Sequence, residues 1–577
     1  MKKLNCLFYV FALIMMASCS DAGGGLNTLT VDPVQATIGV NGGTSKITIQ
    51  TNASSWSITN SASDWLSLSS TSGTGHSGSV TLTVSTRTLT SRTATLVVSA
   101  GSAKTVEVSV TQTASDHLYV ISTDLTSLTF DHAGGVKALK ITTDAPTWTI
   151  SSDVDWLQFS QTTGNKGTVS INVTATESTS DNAKTGTISI AADDAATVQV
   201  SVTQKAPLYP SYNTLPLAAD ATGMSSTAVE LAAKINLGWN IGNTLEAIGG
   251  ETFWGNPKVT KALIDAVKQN GFNAVRIPCS WNQYSNSTTA KIQDTWLARV
   301  KEVVQYCVDN DMYVLLNIHW DGGWLENNCT TDKQVENNAK QKAFWEQIAT
   351  TMRDFDEHLL FASANEPNVD NATQMNVLTS YHQTFINAVR STGGHNTYRV
   401  LVVQGPGTDI QKTNDLMTTL PTDPTANRMM AEVHYYTPYQ FCLMTKDESW
   451  GKMFYYWGQN YHSTSDATRN ATWGEETDLV KYFQMMKTKF VDKGIPVILG
   501  EYAAIRRTSL TGDALTLHLA SRAYFLKYLI QQAKANGILP FYWDAGGLGD
   551  GGTGLFDRSN NTVADQQALD AIVQGAQ

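Results

Sequence analysis

Two segments of this chain end an apolar, strand-like run in a glutamate: Ala364-Asn365-Glu366-Pro367 and Leu499-Gly500-Glu501-Tyr502. Two carboxyl groups held close together can divide a reaction, the protonated one giving its proton to a departing oxygen and the ionised one attacking the carbon left behind. Similar runs end in Trp239, Asn240 and Asn243, in Arg276, in His319 and Trp320, in Asn365, in His434 and Tyr436, and in Trp543. Arg276 beside Glu501 would hold that carboxyl ionised, because an adjacent cation lowers a carboxyl pKa. Tyr436 could donate to the same group. Glu366 must keep its proton at working pH, which burial and the Glu501 charge would favour. His434 is suited to contact Glu366.

Such groups need a scaffold that gathers strand ends. From about Leu217 onward, strand-like runs alternate with amphipathic helical stretches. Strands are expected at Ile235 to Ile241, Ala274 to Ser280, Tyr313 to Ile318, Leu359 to Ala364, Val400 to Gly405, Met429 to His434, Pro496 to Gly500 and Ile538 to Trp543. Helices are expected at Lys258 to Gln269, Trp296 to Asp309, Lys340 to Arg353, Met375 to Arg390, Thr477 to Asp492 and Ala520 to Ala535. This order points to a (β/α)8 TIM barrel, whose active sites lie at the C-terminal strand ends. An open doubly wound sheet is disfavoured: no Gly-rich phosphate loop follows the first strand, and polar groups end nearly every strand. In a barrel, strands four and seven face each other across the mouth. Glu366 and Glu501 could then flank a glycosidic bond at the separation of about 5 Å used by retaining glycosidases.

The region before the barrel reads differently. Residues 26–206 are rich in Thr, Ser, Val and Gly and carry runs of period two, such as Val80 to Val84 and Val198 to Val202. Trp56-Ser-Ile recurs as Trp148-Thr-Ile, Asp64-Trp65-Leu66 as Asp155-Trp156-Leu157, and Val110-Thr-Gln as Val202-Thr-Gln. Two tandem all-β immunoglobulin-like sandwiches, residues 26–115 and 116–206, follow from that repeat. The repeated tryptophans fall inside strand-like runs and are expected in the sandwich cores. Residues 207–216, with three Pro and two Tyr, read as a short linker before the catalytic domain at 217–577.

Charged residues are 16% of the chain and the net charge is -11, with no Lys/Arg cluster. A nucleic-acid surface is excluded on that ground, and a neutral partner fits better. Of the 15 Trp, 11 follow residue 235, and flat aromatic faces suit sugar rings. Trp254, Trp281, Trp320, Trp324 and Trp543 are candidate platforms, whereas Trp296 and Trp345 sit in helical patterns and read as packing. Asp321 and Asp544 follow pocket residues and read as loop groups. The histidines show no metal-ligand spacing, so neither metal nor cofactor is expected. Cys279, Cys307, Cys329 and Cys442 read as buried free thiols. Residues 1–18 form a signal sequence ending Ala17-Ser18, and residues 19–25 a tether.

Several motifs carry family resemblances. Ala17-Ser18-Cys19 resembles a lipobox, implying acylation of Cys19 and anchoring in a bacterial outer membrane, facing the exterior. The repeats, with Asp-Trp-Leu and a terminal Val-Thr-Gln, resemble the BACON module. Asn365-Glu366-Pro367 and Gly500-Glu501-Tyr502, together with Val-Arg276-Ile-Pro, Asn-Ile-His319-Trp and His434-Tyr-Tyr436, resemble glycoside hydrolase family 5. That resemblance implies Glu366 as acid/base, Glu501 as nucleophile, and Asn365 as donor to the sugar 2-hydroxyl. Gly238-Trp-Asn-Ile-Gly-Asn-Thr-Leu-Glu246 and Glu251-Thr-Phe-Trp-Gly-Asn-Pro257 resemble subfamily four, which cleaves β-1,4-glucan backbones. Asn243 and Glu246 would then bind sugar, with His319 meeting a sugar hydroxyl. Many members carry His-His where this chain has His319-Trp320, which exchanges a hydrogen-bonding ring for a stacking face. The expected enzyme is thus a monomeric retaining endo-β-1,4-glucanase acting on a β-glucan polysaccharide. Xyloglucan specificity, mannanase or xylanase activity, and a non-catalytic glycan-binding role are the alternatives.

Overall fold

The computed structural model describes residues 25–84, 88–114, 117–178, 180 and 182–577. The signal-sequence and lipidation readings, Cys19 included, lie outside the described residues. The chain divides into two compact units, residues 1–206 and 207–577.

The first unit holds two sandwiches. In the first, a four-stranded and a five-stranded sheet enclose a core that includes Trp56, Leu66, Val80, Leu96 and Val108. The second is wound from one continuous sheet, because Gly135–Ser152 and Thr163–Ala175 are long enough to serve both layers, with a register irregularity between Thr143 and Thr147. Trp56, Trp148 and Trp156 are buried, and Trp65 is half-buried beneath Arg92. Glycines make room for two of these rings. A Cβ at Gly78 would lie 2.3 Å from the Trp56 ring, and one at Gly164 2.3 Å from that of Trp148.

The second unit is a closed barrel of eight parallel strands: β1 (Gly238–Ile241), β2 (Ala274–Ile277), β3 (Tyr313–Asn317), β4 (Leu359–Ala362), β5 (Leu401–Gln404), β6 (Met429–Tyr435), β7 (Val497–Tyr502) and β8 (Ile538–Asp544). Each expected strand is present: β1 starts three residues later than expected, β2 to β5 end one to three residues early, and β6, β7 and β8 run one or two residues further toward the mouth. The lower interior is filled by Ala274, Leu315, Leu360, Val402, Met430, Ile498 and Phe541. The helix Ala228–Lys234 packs Ala228 and Leu231 into this cluster. A capping box between Thr227 and Glu230 starts that helix. Residues 207–216 are not a free tether: Tyr209 and Tyr212 pack on the barrel's outer core, and the backbone N–H groups of Tyr212 and Asn213 donate to Glu346. Cys279, Cys307, Cys329 and Cys442 are buried and unpaired as disulfides.

Candidate active site

Alternation along the strands decides which groups enter the barrel mouth. On β6, Ala431, Val433 and Tyr435 pack outward in the hydrophobic shell, and Met430 packs in the interior cluster. Glu432 and His434 share the inward face with Met430. On β7 the register slips, with Val433 pairing Leu499 and His434 pairing Glu501, so the strand bulges at Gly500 and brings Glu501 level with His434.

The predicted residues meet there. One carboxylate oxygen each from Glu366 and Glu501 and a ring nitrogen of His434 lie within 4.8 Å of one another. Arg276, fully buried, donates from Nη1 to Glu501 Oε1 at 2.8 Å and from Nη2 to Asn365 Oδ1 at 2.8 Å. Tyr436 donates to Glu501 Oε2 at 3.0 Å. His434 Nδ1 lies 2.7 Å from Glu366 Oε1 and 3.7 Å from Glu501 Oε2. Glu366 has the more open side chain, 39% exposed against 7% for Glu501. Asn365 is buried; with Oδ1 held by Arg276, its Nδ2 faces Glu326 Oε2 at 3.4 Å.

The electrostatics follow from burial and pairing. Burial works against a charge on His434, but Glu501, Glu366 and Glu432 surround it and push its pKa up to about 9. Burial also opposes ionisation of Glu366, yet the His434 hydrogen bond and charge pull its carboxyl below the usual range. The proton that an acid at this position must deliver therefore rests on His434 Nδ1, one hydrogen bond away. Glu501 is pushed up by burial and by Glu366, against His434 and Arg276. The two carboxyls thus share one proton reservoir. Glu366, His434 and Glu501 could supply three donor atoms to a metal ion, but Arg276 and His434 already provide the positive charge an ion would bring.

His319 stacks on Trp543, ring centroids 5.7 Å apart and planes 6° apart. The Cys279 N–H donates to Asn317 Oδ1, which turns Asn317 Nδ2 toward His319 Nδ1 at 3.2 Å. Burial, Arg276 and His434 hold the His319 ring neutral. Its Nδ1 accepts, so Nε2 carries the hydrogen and is available to a hydroxyl. Trp320 and Trp254 are exposed, at 40% and 43%.

Three expected sugar contacts are corrected. Trp324 is 9% exposed, donates from Nε1 to Asp321 Oδ2 and packs against Phe344, while Trp281 is fully buried with its Nε1 donating to Asn317 O. Both rings hold loops in place. Glu246 is 2% exposed, and its two oxygens accept the backbone N–H groups of Asn243 and Thr244. Burial raises its pKa to about 7. It shapes the turn in which Asn243 takes a φ of 58°, leaving Asn243 half-buried at the rim. Trp296 and Trp345 are buried as expected. Asp321 is a loop hub, accepting from Ser280, Trp281, Asn282 and Trp324. Asp544 plays the same part for Trp239, Gly546, Leu555 and Arg558.

The residues missed are Glu432, Gln404 and Glu326. Glu432 stands two before His434, so strand alternation alone would have put it on the catalytic face. Glu326 accepts the Glu366 N–H at 3.1 Å, and burial with the Glu366 charge pushes it up to about 7. Its loop position gave no signal of this.

Comparison with known proteins agrees with this geometry. Residues 240–549 match the cellulase family (glycosyl hydrolase family 5), residues 54–113 an N-terminal putative binding domain of the BACON type, and residues 120–207 the viral BACON domain. The chain is 35% identical over 474 residues to the xyloglucan-specific endo-β-1,4-glucanase of Bacteroides ovatus, covering 79% of this chain and 91% of that one. It is 35% identical over 385 residues to endoglucanase A of Paenibacillus barcinonensis, covering 62% and 93%. A Bacteroides ovatus family 5 xyloglucanase structure, in complex with a XXXG heptasaccharide, superposes with a TM-score of 0.59 at 32% identity, covering 79% of this chain and 99% of that one. A broad-specificity subfamily 4 endoglucanase from Ruminococcus champanellensis, with bound cellotriose, gives a TM-score of 0.52 at 34% identity over 60% and 98%.

Proposed function

This chain belongs to glycosyl hydrolase family 5, and from that premise we propose that it is a retaining endo-β-1,4-glucanase with Glu501 as nucleophile and Glu366 as acid/base. The observation that carries the reading is the pair of carboxylates within 4.8 Å, one bound by Arg276 and Tyr436 and the other by His434. Glu501 attacks the anomeric carbon while the proton held between His434 and Glu366 passes to the leaving oxygen. Glu366, then ionised, draws a proton from the water that releases the glycosyl ester. Asn365 Nδ2 has a hydrogen to offer the 2-hydroxyl, and the neutral His319 on Trp543 offers another beside the cleavage point.

Xyloglucan is the substrate we favour, because relatives that cover 79% of this chain are named for it. Reducing-end release from xyloglucan, mixed-linkage glucan, carboxymethylcellulose, mannan and xylan, measured side by side, tests this. Fastest cleavage of xyloglucan supports the specific reading, faster cleavage of unbranched glucans supports a general endoglucanase, and silence on every glucan sinks both. Proton NMR of the first product should show the β anomer.

We read Cys19 as a lipid attachment site and the enzyme as a surface lipoprotein of the outer membrane, with the sandwiches serving as spacers. Their buried Trp56, Trp148 and Trp156 favour a spacer over a glycan-binding face. Failure of Cys19→Ala to release the protein from membranes would overturn the anchor.

A further inference from the structure

Glu432 is fully inaccessible in the upper barrel, and the two-carboxylate reaction does not call for it. A buried carboxylate is costly unless its charge is matched. Here Oε1 is shared between two cations, 2.9 Å from Arg276 Nε and 3.2 Å from His434 Nε2. Oε2 accepts from Gln404 Nε2, and Gln404 Oε1 in turn accepts the N–H of Ala364, two residues before Glu366. The neighbouring strand is cut to fit: a Cβ at Gly500 would lie 2.0 Å from Glu432 Oε1. The glycine beside the nucleophile is therefore space reserved for this side chain.

We propose that Glu432 is a positioning residue for the proton-transfer step, holding His434 charged and aimed at Glu366 while fixing Arg276 between Glu501 and Asn365. This rests on the glycosidase reading above.

The reason lies in the reaction cycle. The groups facing His434 are Glu432 from its own strand, Glu366 from the end of β4, Glu501 from β7, Arg276 from β2 and His319 from the end of β3, with Glu326 behind Glu366 and Tyr436 on Glu501. Arg276 opposes a charge on the ring, His319 is neutral, and the carboxylates favour the charge. Two of those carboxylates are reactants. Glu501 loses its charge on forming the glycosyl ester, and Glu366 loses its own on taking up a proton. Glu432 has neither role and stays ionised, because Arg276, His434 and Gln404 outweigh the cost of its burial. Its charge is constant through both halves of the reaction, so it keeps the ring aimed at Glu366 and favours the return of a proton to the ring after each transfer.

Glu432→Gln in the full chain tests this, since the amide keeps the volume and removes the charge. The basic limb of kcat/KM on a soluble glucan should move down by about one pH unit or more, each unit being a tenfold change in proton affinity. KM should change little. At neutral pH, kcat on the polymer should fall about a hundredfold, the lower bound for a general acid, with an activated aryl cellobioside losing far less. Glu432→Asp, which keeps the charge, should leave the limb in place. An equal loss at every pH with the limb unmoved, or an equal loss on both substrates, would overturn the proposal. Should Glu432→Gln fail to fold, nitrogen NMR of the wild-type imidazoles decides: an imidazolium at His434 at pH 7.5 is required, and a neutral ring refutes it. An inactive wild type would instead refute the glycosidase reading.

Discussion

Replacing Glu366 by Ala removes the only carboxylate within hydrogen-bonding distance of His434 Nδ1 among the described residues; Glu501 Oε2 stands at 3.7 Å. The variant thus keeps its nucleophile, still held by Arg276 and Tyr436, but loses its route for delivering a proton. A general acid contributes about 10²–10⁴-fold, which is about 2.7–5.4 kcal/mol at 1.36 kcal/mol per tenfold. A glucose hydroxyl leaves poorly without protonation, so cleavage of a gluco-oligosaccharide should fall toward the upper end. A dinitrophenyl cellobioside needs no proton on its leaving group, so formation of the glycosyl-enzyme should slow less than about tenfold. Hydrolysis of that ester should then limit turnover, because no base remains to activate water. Stopped-flow at the phenolate absorbance would show a burst equal to the enzyme concentration, followed by a slow steady state. Because Glu366 is 39% exposed, its vacated space is open to a small anion, and azide should restore turnover and yield a β-glycosyl azide. Equal losses on both substrates, or no azide product, would refute the assignment of Glu366.

Glu501→Gln should lower turnover on every substrate by at least about 10⁴-fold while glucan binding by calorimetry persists, since the amide can still meet Tyr436. His434 carries a stability signature as well. Its pKa is about 9 in the fold against the ordinary 6.5, so the folded state binds this proton more tightly. Its contribution is full below pH 6.5 and lost as pH rises through 9, at most about 3 kcal/mol. Tm should decline across that window in the wild type, and a decline just as steep in His434→Gln would sink the argument. Gly164→Ala would place a Cβ 2.3 Å from the Trp148 ring, costing about 1–3 kcal/mol in overpacking. The second sandwich should melt several degrees earlier while the barrel, a separate compact unit, keeps its glucanase activity; unchanged melting would show that the ring moves aside.

What could be read from the chain and what could not differ in kind. Arg276, Glu366, His434 and Glu501 were legible because strand alternation and barrel geometry bring strand ends to one mouth whatever the loops do. Trp56 and Trp148 were legible for the same reason, since period two fixed their inward face, whereas Trp65 and Trp156 lie in turns rather than strands and Trp65 stays half-buried, short of the core expected for it. Trp324 and Glu246 were misread because both lie on loops, where periodicity does not say which way a side chain turns. Hydrogen-bond demand decides it there. Asp321, buried and pushed up to about 6 by that burial, needs donors and takes the Trp324 indole, so the ring turns inward. Glu246 is drawn under its own turn by the unpaired amides of Asn243 and Thr244. Trp320 has no such partner among the described residues and stays 40% exposed. Glu432 escaped notice for the opposite reason. It sits in an apolar strand where a charge looks misplaced, and only the cations supplied by β2 and by its own strand, with the space left at Gly500, make burial there tolerable. A charged residue inside a barrel strand, two positions from a catalytic candidate, is therefore better treated as part of the site than as an exception to the pattern.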